Sequence, residues 1–224
     1  MMRAVGIDGC RGGWIVVWID KTGHRGFEII PRIDCIEKFK AAMVMIDIPI
    51  GLPQSGYRAC DLAAREMLGK AWPRVFLGAR RPLLAFDDFN QANKWAKSDP
   101  GKGISRQMFG ILPKIKQVDE FIITNSCRNT FRETHPELVF HRLNGGVYLP
   151  AKQTPHGKKQ RRDLLTKHGF EDIEAWLSKL SRRGAGADDL FDACACAIAA
   201  DSPGRKLECN QESDAQGLRM GMWF

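Results

Sequence analysis

Short apolar runs separated by turn residues dominate the first fifty residues. Runs of this length that are rich in β-branched and aromatic residues predict strands, and the glycines and polar residues between them predict turns. The predicted strands are residues 3–8, 14–19, 24–30 and 43–47, with a short amphipathic helix after Pro31. The fourth strand is wholly apolar up to Asp47, as expected of a strand in a parallel sheet that is covered on both faces.

Helical spacing of apolar residues replaces this pattern beyond Pro49. The predicted helices are residues 61–68, 83–97, 107–124, 136–143, 173–180 and 188–200. A fifth strand is predicted at 129–133, and the polar stretch 150–162 is interpreted as a surface loop. Alternating apolar residues near the end predict an edge strand over 217–224. We therefore expect one α/β domain over 1–224, with a helical insertion at about 55–125 after the fourth strand.

Composition narrows the class of protein. Hydrophobic residues make up 44% and charged residues 27%, which is typical of a globular protein. The apolar stretch before Asp8 is too short for a signal-peptide core, and no run can span a bilayer, so we expect a cytoplasmic protein with no membrane partner. The seven cysteines form no CxxC pair, which argues against a disulfide framework or a zinc cluster. The net charge of +8 favours polyanionic partners such as nucleic acid. The alternative is that the basic residues only make the surface soluble.

Acidic residues close the two most apolar strands. Asp8 follows the run that ends at Ile7, and Asp47 follows the run that ends at Ile46. The carboxyl ends of parallel strands are where ligands bind in open α/β sheets. Carboxylates beside a core are costly unless they are paired, hydrogen-bonded or bound to metal. The alternative is that each aspartate is an ordinary turn or cap residue.

A third acidic position lies in the last predicted helix. Asp189 and Asp192 are three residues apart and share one helix face, and the small residues after Asp192 allow close packing on a sheet. Asp189 can equally be a helix-capping residue, whereas Asp192 lies too far inside the helix for that role. Three carboxylates brought together suit hard cations such as Mg²⁺ or Mn²⁺. Two such ions about 4 Å apart would support phosphodiester hydrolysis.

The segment ETHPE at 133–137 allows two interpretations. Thr134 and Glu137 have the spacing of a capping box, and His135 before Pro136 can itself be the N-cap residue. In the functional interpretation, Glu133 lies at a strand end beside the metal site, and His135 is a proton shuttle or a substrate contact.

Taken together, the motifs resemble those of the domain of unknown function 429 family, whose members are generally described as predicted RNase H-like nucleases. The motifs that carry the resemblance are GIDGCRGGW at 6–14, DIPIGLP at 47–53, RACD at 58–61, ETHPE at 133–137 and DDLFDA at 188–193. They occur in this order, and the resemblance spans nearly the whole chain, from Gly6 to Ala200. The segment VFLGARR at 75–81 departs from the family's usual Val-Phe-Pro pattern.

The resemblance implies an RNase H-like core, which is a five-stranded mixed sheet with three leading antiparallel strands, flanked by helices. In that superfamily the first acidic ligand lies on the first strand, which corresponds to Asp8. Holliday-junction resolvases have a second at the end of the fourth strand, which corresponds to Asp47. Their final helix carries a His-or-Asp-x-x-Asp pattern, which corresponds to Asp189 and Asp192.

The leading hypothesis is a nuclease that depends on Mg²⁺ or Mn²⁺ and acts on DNA or RNA, including structured or hybrid nucleic acid. Asp8, Asp47 and Asp192 are the expected ligands, with Asp189 or Glu133 as the fourth carboxylate. The candidate phosphate contacts are Arg11, Arg80, Arg81, Lys114, Lys116, Lys158, Lys159, Arg161 and Arg162, with the role of Lys152 unassigned. The alternatives are a nucleotide-binding phosphotransferase or ATPase, for which the chain holds only one core copy, and a non-catalytic nucleic-acid-binding protein.

Overall fold

A computed structural model of the chain describes residues 2–99, 103–180, 184–202, 206–207, 209 and 213–224. Its strands are β1 (Met2–Cys10), β2 (Gly13–Asp20), β3 (Arg25–Ile30), β4 (Met43–Ile46), β5 (Phe131–Thr134) and β6 (Met222–Trp223). Its α-helices are α1 (Ala59–Leu68), α2 (Phe89–Ser98), α3 (Arg106–Thr124), α4 (Pro136–Leu143), α5 (Pro155–Lys167), α6 (Ile173–Leu180) and α7 (Ala187–Asp201). Short 3₁₀ helices span Ile33–Phe39, Gly69–Arg74 and Arg81–Ala85.

The six strands form one mixed sheet in the order β3-β2-β1-β4-β5-β6. β2 is antiparallel to both β1 and β3, whereas β4 is parallel to both β1 and β5. The mixed α/β fold and the five strands predicted from the sequence are therefore confirmed, and β6 is a sixth strand at the edge. The edge strand predicted over 217–224 is present but shorter than predicted. Asp214 closes a turn there by accepting hydrogen bonds from the N–H groups of Gln216 and Leu218, so that only Met222–Trp223 is a strand.

The centre of the sheet packs directly against α7. The inner residues of β1 and β4 are buried, and α7 is buried continuously from Leu190 to Ala200. Gly6 on β1 makes this close approach possible, because a Cβ atom at this position would lie 2.1 Å from the backbone nitrogen of Ala197. The small residues of α7 have the matching function on the helix side, since they let the two backbones come together.

The chain divides into two compact units. The first consists of Met1–Asp47, Asn129–Arg205 and Trp223–Phe224, and the second of Ile48–Arg128 and Lys206–Met222. The first unit contains β1 to β5 and α4 to α7. The second contains α1 to α3, and the predicted helical insertion at about 55–125 lies within it.

Three arginines of the second unit form ion pairs with little solvent exposure. Arg58 pairs with Asp61, with both side chains almost fully buried. The other two are Arg80 with Asp99, and Arg81 with both Asp119 and Asp214. Each arginine is thereby compensated, as a buried guanidinium requires.

Two predicted elements differ from the structure. The stretch 150–162 is not a loop throughout, because Thr154 caps α5 by accepting a hydrogen bond from the Gly157 N–H at 3.0 Å. The predicted helix 83–97 instead begins at Phe89, where Asp88 caps α2 by accepting from the Gln91 N–H. Among the described residues, no helix combines the length and the apolar character that a membrane span needs.

Candidate functional site

Asp8 and Asp47 lie side by side at the carboxyl ends of neighbouring parallel strands. Asp8 is near the end of β1, and Asp47 directly follows β4. The Asp47 N–H donates to the carbonyl oxygen of Ile7 at 3.0 Å, which continues the β1–β4 pairing by one residue. Both residues keep part of their surface accessible to solvent. The sheet thus presents two adjacent, partly accessible carboxylates at the carboxyl ends of its central strands.

Helix α7 brings Asp192 to the same face of β1. Side chains two residues apart on a strand point to the same side, so Asp8 lies on the face of Gly6, where α7 packs. The closest contacts of α7 with Gly6 involve Ala193 and Ala197, and Asp192 directly precedes the first of these. Asp192 is only 4% exposed. Close helix packing on a glycine therefore places the third carboxylate beside the strand ends.

The three carboxylates share one electrostatic environment. Burial raises the pKa of Asp8 well above its ordinary value, and the charges of Asp47 and Asp192 raise it further. Burial likewise raises the pKa of Asp47 to about 7 and that of Asp192 to about 6, while Lys152 lowers both. Carboxylates whose pKa values are raised by burial and by one another favour binding of a cation, because the bound positive charge removes their repulsion.

Lys152 supplies a positive charge to this cluster. Its Nζ donates a hydrogen bond to Asp192 Oδ2 at 2.6 Å, and the lysine side chain is 35% exposed. Although burial acts to lower it, the pKa of Lys152 is raised, because the carboxylates of Asp192, Asp47 and Asp8 stabilise the ammonium form. One ammonium therefore faces three carboxylates.

A second buried ion pair supports the segment that carries Lys152. Arg161 on α5 donates to Glu137 Oε1 at 2.6 Å, and both side chains are buried. The same guanidinium donates to the carbonyl oxygen of Pro150 at 2.9 Å. Glu137 also raises the pKa values of Asp47 and Asp192, so its charge reaches the carboxylate cluster.

The other predicted site residues have structural partners. His135 is the N-cap of α4, because its Nδ1 accepts a hydrogen bond from the Glu137 N–H at 3.2 Å. The predicted capping box of Thr134 with Glu137 is wrong, since the Thr134 hydroxyl donates to the Trp223 carbonyl oxygen. Asp189 accepts a hydrogen bond from the Gly186 N–H at 2.8 Å at the start of α7, and its charge also raises the pKa of Asp8.

Glu133 lies in register with Ile46 on β4, which is in turn paired with Ile7 on β1. These positions alternate with Asp47 and Asp8, so Glu133 belongs to the opposite face of the sheet from the carboxylate pair. Glu133 is buried, with 3% of its surface exposed. Its position on the strand is as predicted, but the pleat directs it away from the side that α7 covers.

The candidate phosphate contacts separate into buried and accessible residues. Arg80 and Arg161 are buried in ion pairs, so the expectation that they contact phosphate is wrong. Arg81 and Arg162 are engaged in ion pairs with neighbouring acidic residues. The accessible candidates are Arg11, Lys116, Lys158 and Lys159, with Lys114 partly accessible. Arg11 is the closest of these in sequence to Asp8, in the turn between β1 and β2.

The donor set fits a hard cation chemically, since Asp8, Asp47 and Asp192 offer only carboxylate oxygens, with Asp189 next to them. Within the described residues, however, no three His, Cys, Asp or Glu side chains surround one point closely enough to hold a metal ion as they stand. The Lys152 ammonium already takes one Asp192 oxygen. Binding of an ion would therefore require these side chains to rearrange.

Two residues of this site, Lys152 and Glu137, were not assigned a site role from the sequence. Lys152 lies in a polar segment 40 residues before Asp192, and nothing in its local pattern distinguishes it from other lysines. Glu137 is part of the ETHPE motif and lies on the buried face of α4. An acidic residue on an apolar helix face was the signal that could have identified it. Charge compensation of Asp192 is visible only once α7 and the segment before α5 are placed together.

Comparison with known proteins identifies a family. The sequence profile described as "Protein of unknown function (DUF429)" matches residues 6–214. The match covers most of the chain, so the chain belongs to this family, and the resemblance seen in the motifs is confirmed. No curated protein and no solved structure gives a significant match.

Proposed function

We propose that this member of the DUF429 family is a metal-dependent RNase H-like nuclease that hydrolyses phosphodiester bonds of nucleic acid. The observation that carries the proposal is the group of mutually repelling carboxylates, Asp8, Asp47 and Asp192, at the carboxyl ends of two parallel strands. The strand order supports it, because three antiparallel strands followed by two parallel ones match the arrangement expected of an RNase H-like core.

In this proposal the carboxylates would hold Mg²⁺ or Mn²⁺. Asp8 and Asp47 approach from the sheet and Asp192 from α7, and Asp189 is the better fourth ligand because its charge already acts on Asp8. Glu133 lies on the opposite face, and the His135 ring serves as a helix cap, so both have lesser roles. When bound, the metal would polarise the phosphate and make water a stronger nucleophile.

The proposed partner is DNA or RNA, including structured or hybrid forms, in the cytoplasm. Exposed basic residues favour phosphate contacts, and Arg11 is placed in the turn that follows Asp8. The net charge of +8 supports binding through the phosphate backbone, which makes the affinity strongly dependent on salt. None of the seven cysteines forms a disulfide, as fits a reducing compartment.

The test is cleavage of labelled branched, hybrid and single-stranded substrates in Mg²⁺ or Mn²⁺, with and without EDTA. Wild type is expected to cleave at least one substrate, and Asp192→Asn to lose cleavage while keeping its circular dichroism spectrum. The matched control is Asp163→Asn, because Asp163 is an exposed aspartate on α5 paired with Lys159. Equal metal-dependent cleavage by wild type and Asp192→Asn, or none by wild type across the panel, would refute the proposal.

A second candidate is a non-catalytic nucleic-acid-binding protein with the same fold. The observation that favours it is the Lys152–Asp192 ion pair, which partly neutralises the cluster without a metal. It predicts binding of nucleic acid that is unchanged by EDTA and by Asp8→Asn. Binding that needs a divalent cation would exclude it.

A further inference from the structure

The ammonium of Lys152 already contacts one of the carboxylates that are proposed to hold the cation. Its Nζ is 2.6 Å from Asp192 Oδ2, and Asp192 itself is almost fully buried, with 5% of its side chain exposed. The charges of Asp8 and Asp47 also act on Lys152. In the absence of a metal, this lysine is the positive charge that the three carboxylates share.

The backbone before and after Lys152 is held firmly. Arg161 donates to the Pro150 carbonyl oxygen at 2.9 Å. The next carbonyl oxygen, that of Ala151, accepts from both the N–H and the hydroxyl of Thr154. Gly157 packs on the same carbonyl so closely that a Cβ atom there would lie 2.2 Å from its oxygen. These contacts fix the backbone of the segment that carries Lys152 beside the carboxylate cluster.

Ordinary surface lysines of this protein differ from Lys152. Lys159, seven residues later, pairs with Asp163 across one turn of α5, and the two side chains are 64% and 44% exposed. Such an exposed pair contributes little and rearranges freely. The partner of Lys152 is instead a buried carboxylate that has a proposed role as metal ligand.

We propose that Lys152 is an internal competitor of the divalent cation, which holds Asp192 in the metal-free protein and leaves it when the ion binds. This inference rests on the proposed function, since it concerns the same carboxylates. An ion that uses Asp192 Oδ2 must displace the ammonium, because the two positive charges repel one another at this distance. The displaced ammonium keeps its place beside the site and becomes available to a phosphate group.

The first test is direct measurement of Mn²⁺ binding by isothermal titration calorimetry at pH 8, without any nucleic acid. Lys152→Met is expected to bind Mn²⁺ about tenfold or more tightly than wild type, because one positive charge a few ångströms from the ion is removed. Lys159→Met is the matched control and should bind as wild type does. Unchanged or weaker binding by Lys152→Met would overturn the inference.

Loss of Lys152 leaves three carboxylates without their ammonium, so the metal-free variant is expected to be less stable. A thermal melt of each protein as a function of Mn²⁺ concentration shows whether the ion compensates for the lost ammonium. Lys152→Gln provides a second variant. Both variants should gain more in Tm from Mn²⁺ than wild type gains, because the ion replaces the missing charge. An equal or smaller gain in both variants contradicts competition.

Displacement itself is tested by the chemical reactivity of the amine. Wild type is methylated reductively with and without saturating Mg²⁺, and the modification of Lys152 is read by mass spectrometry against that of Lys159. The Lys152 signal is expected to increase several-fold with Mg²⁺, while Lys159 stays constant. A Lys152 signal that does not rise at saturating Mg²⁺ refutes the displacement.

These outcomes separate the two proposals. If wild type and Lys152→Met bind Mn²⁺ equally well, the competition is wrong and the proposed metal-dependent function stands. If neither protein binds Mn²⁺ while both are folded, the metal-dependent function fails, and the inference about Lys152 fails with it.

Discussion

Replacing Asp47 by asparagine tests whether burial of the ionised Asp47 carboxylate costs stability in the folded protein. Asparagine has nearly the same shape as a protonated aspartate and carries no charge. The pKa of Asp47 rises from 3.8 to about 7 on folding, mainly because the group is buried. A carboxyl group that holds its proton more tightly in the folded state costs stability once that proton is lost.

The pH range follows from these pKa values. Below about pH 4 the carboxyl group is protonated in both the unfolded and the folded state. The asparagine substitution should therefore change the free energy of unfolding little. Between about pH 4 and pH 7 the unfolded chain ionises while the folded protein does not, so wild type loses stability as the pH rises. Above about pH 7 both states are ionised and the loss is complete.

The raised pKa of Asp47 can lower the free energy of unfolding of wild type by at most about 4 kcal/mol, at about 1.4 kcal/mol for each tenfold change in proton affinity. Partial exposure of Asp47 and screening by solvent reduce it, and we expect Asp47→Asn to be about 1–2 kcal/mol more stable than wild type at pH 8. The pKa of about 7 already includes the effect of Lys152, which lowers the pKa of Asp47.

The assay is urea denaturation of wild type and Asp47→Asn in EDTA at pH 4, 6 and 8, followed by circular dichroism. The difference in the free energy of unfolding should be near zero at pH 4 and should grow toward pH 8. Asp163→Asn is the control, since its exposed carboxyl has a pKa lowered by Lys159, and its loss should not stabilise the protein at pH 8. An Asp47→Asn variant no more stable than wild type at pH 8 would refute the expected cost of ionising the buried Asp47 carboxyl group.

Three further predictions concern packing and pairing, and each is measured by urea denaturation. Gly6→Ala should destabilise the protein by more than about 2 kcal/mol, because the new Cβ atom meets the backbone of α7; stability close to that of wild type would contradict this packing. Gly110→Ala in the interior of α3 has open space at its Cβ position and should instead stabilise by about 0.4–1 kcal/mol. Arg161→Met should cost about 3–5 kcal/mol, since it removes the guanidinium that compensates the charge of the buried Glu137. A cost below about 1 kcal/mol, as expected of Lys159→Met in an exposed pair, would show that the Arg161 pair is not structural.

Local patterns in the sequence determined the strands and most of the helices. The apolar runs that end at Asp8 and Asp47 are β1 and β4, because burial on both faces requires continuous apolar residues. Helix α5 was not predicted from the sequence, because only Gly157, Arg161 and Leu165 are buried and most of its other residues are polar. Its buried arginine is compensated by Glu137, which lies 24 residues away in the chain.

The sequence by itself also determined that acidic residues stand at strand ends and inside a small-residue helix. Which of them meet was decided only by the tertiary structure. The pleat of β5 turns Glu133 to the other face, the cap of α4 engages the His135 ring, and the contact of α7 with Gly6 brings Asp192 toward Asp8. Lys152 joins them through a segment held by Arg161. Side-chain direction and charge compensation arise from contacts between distant parts of the chain, and a linear pattern does not contain them.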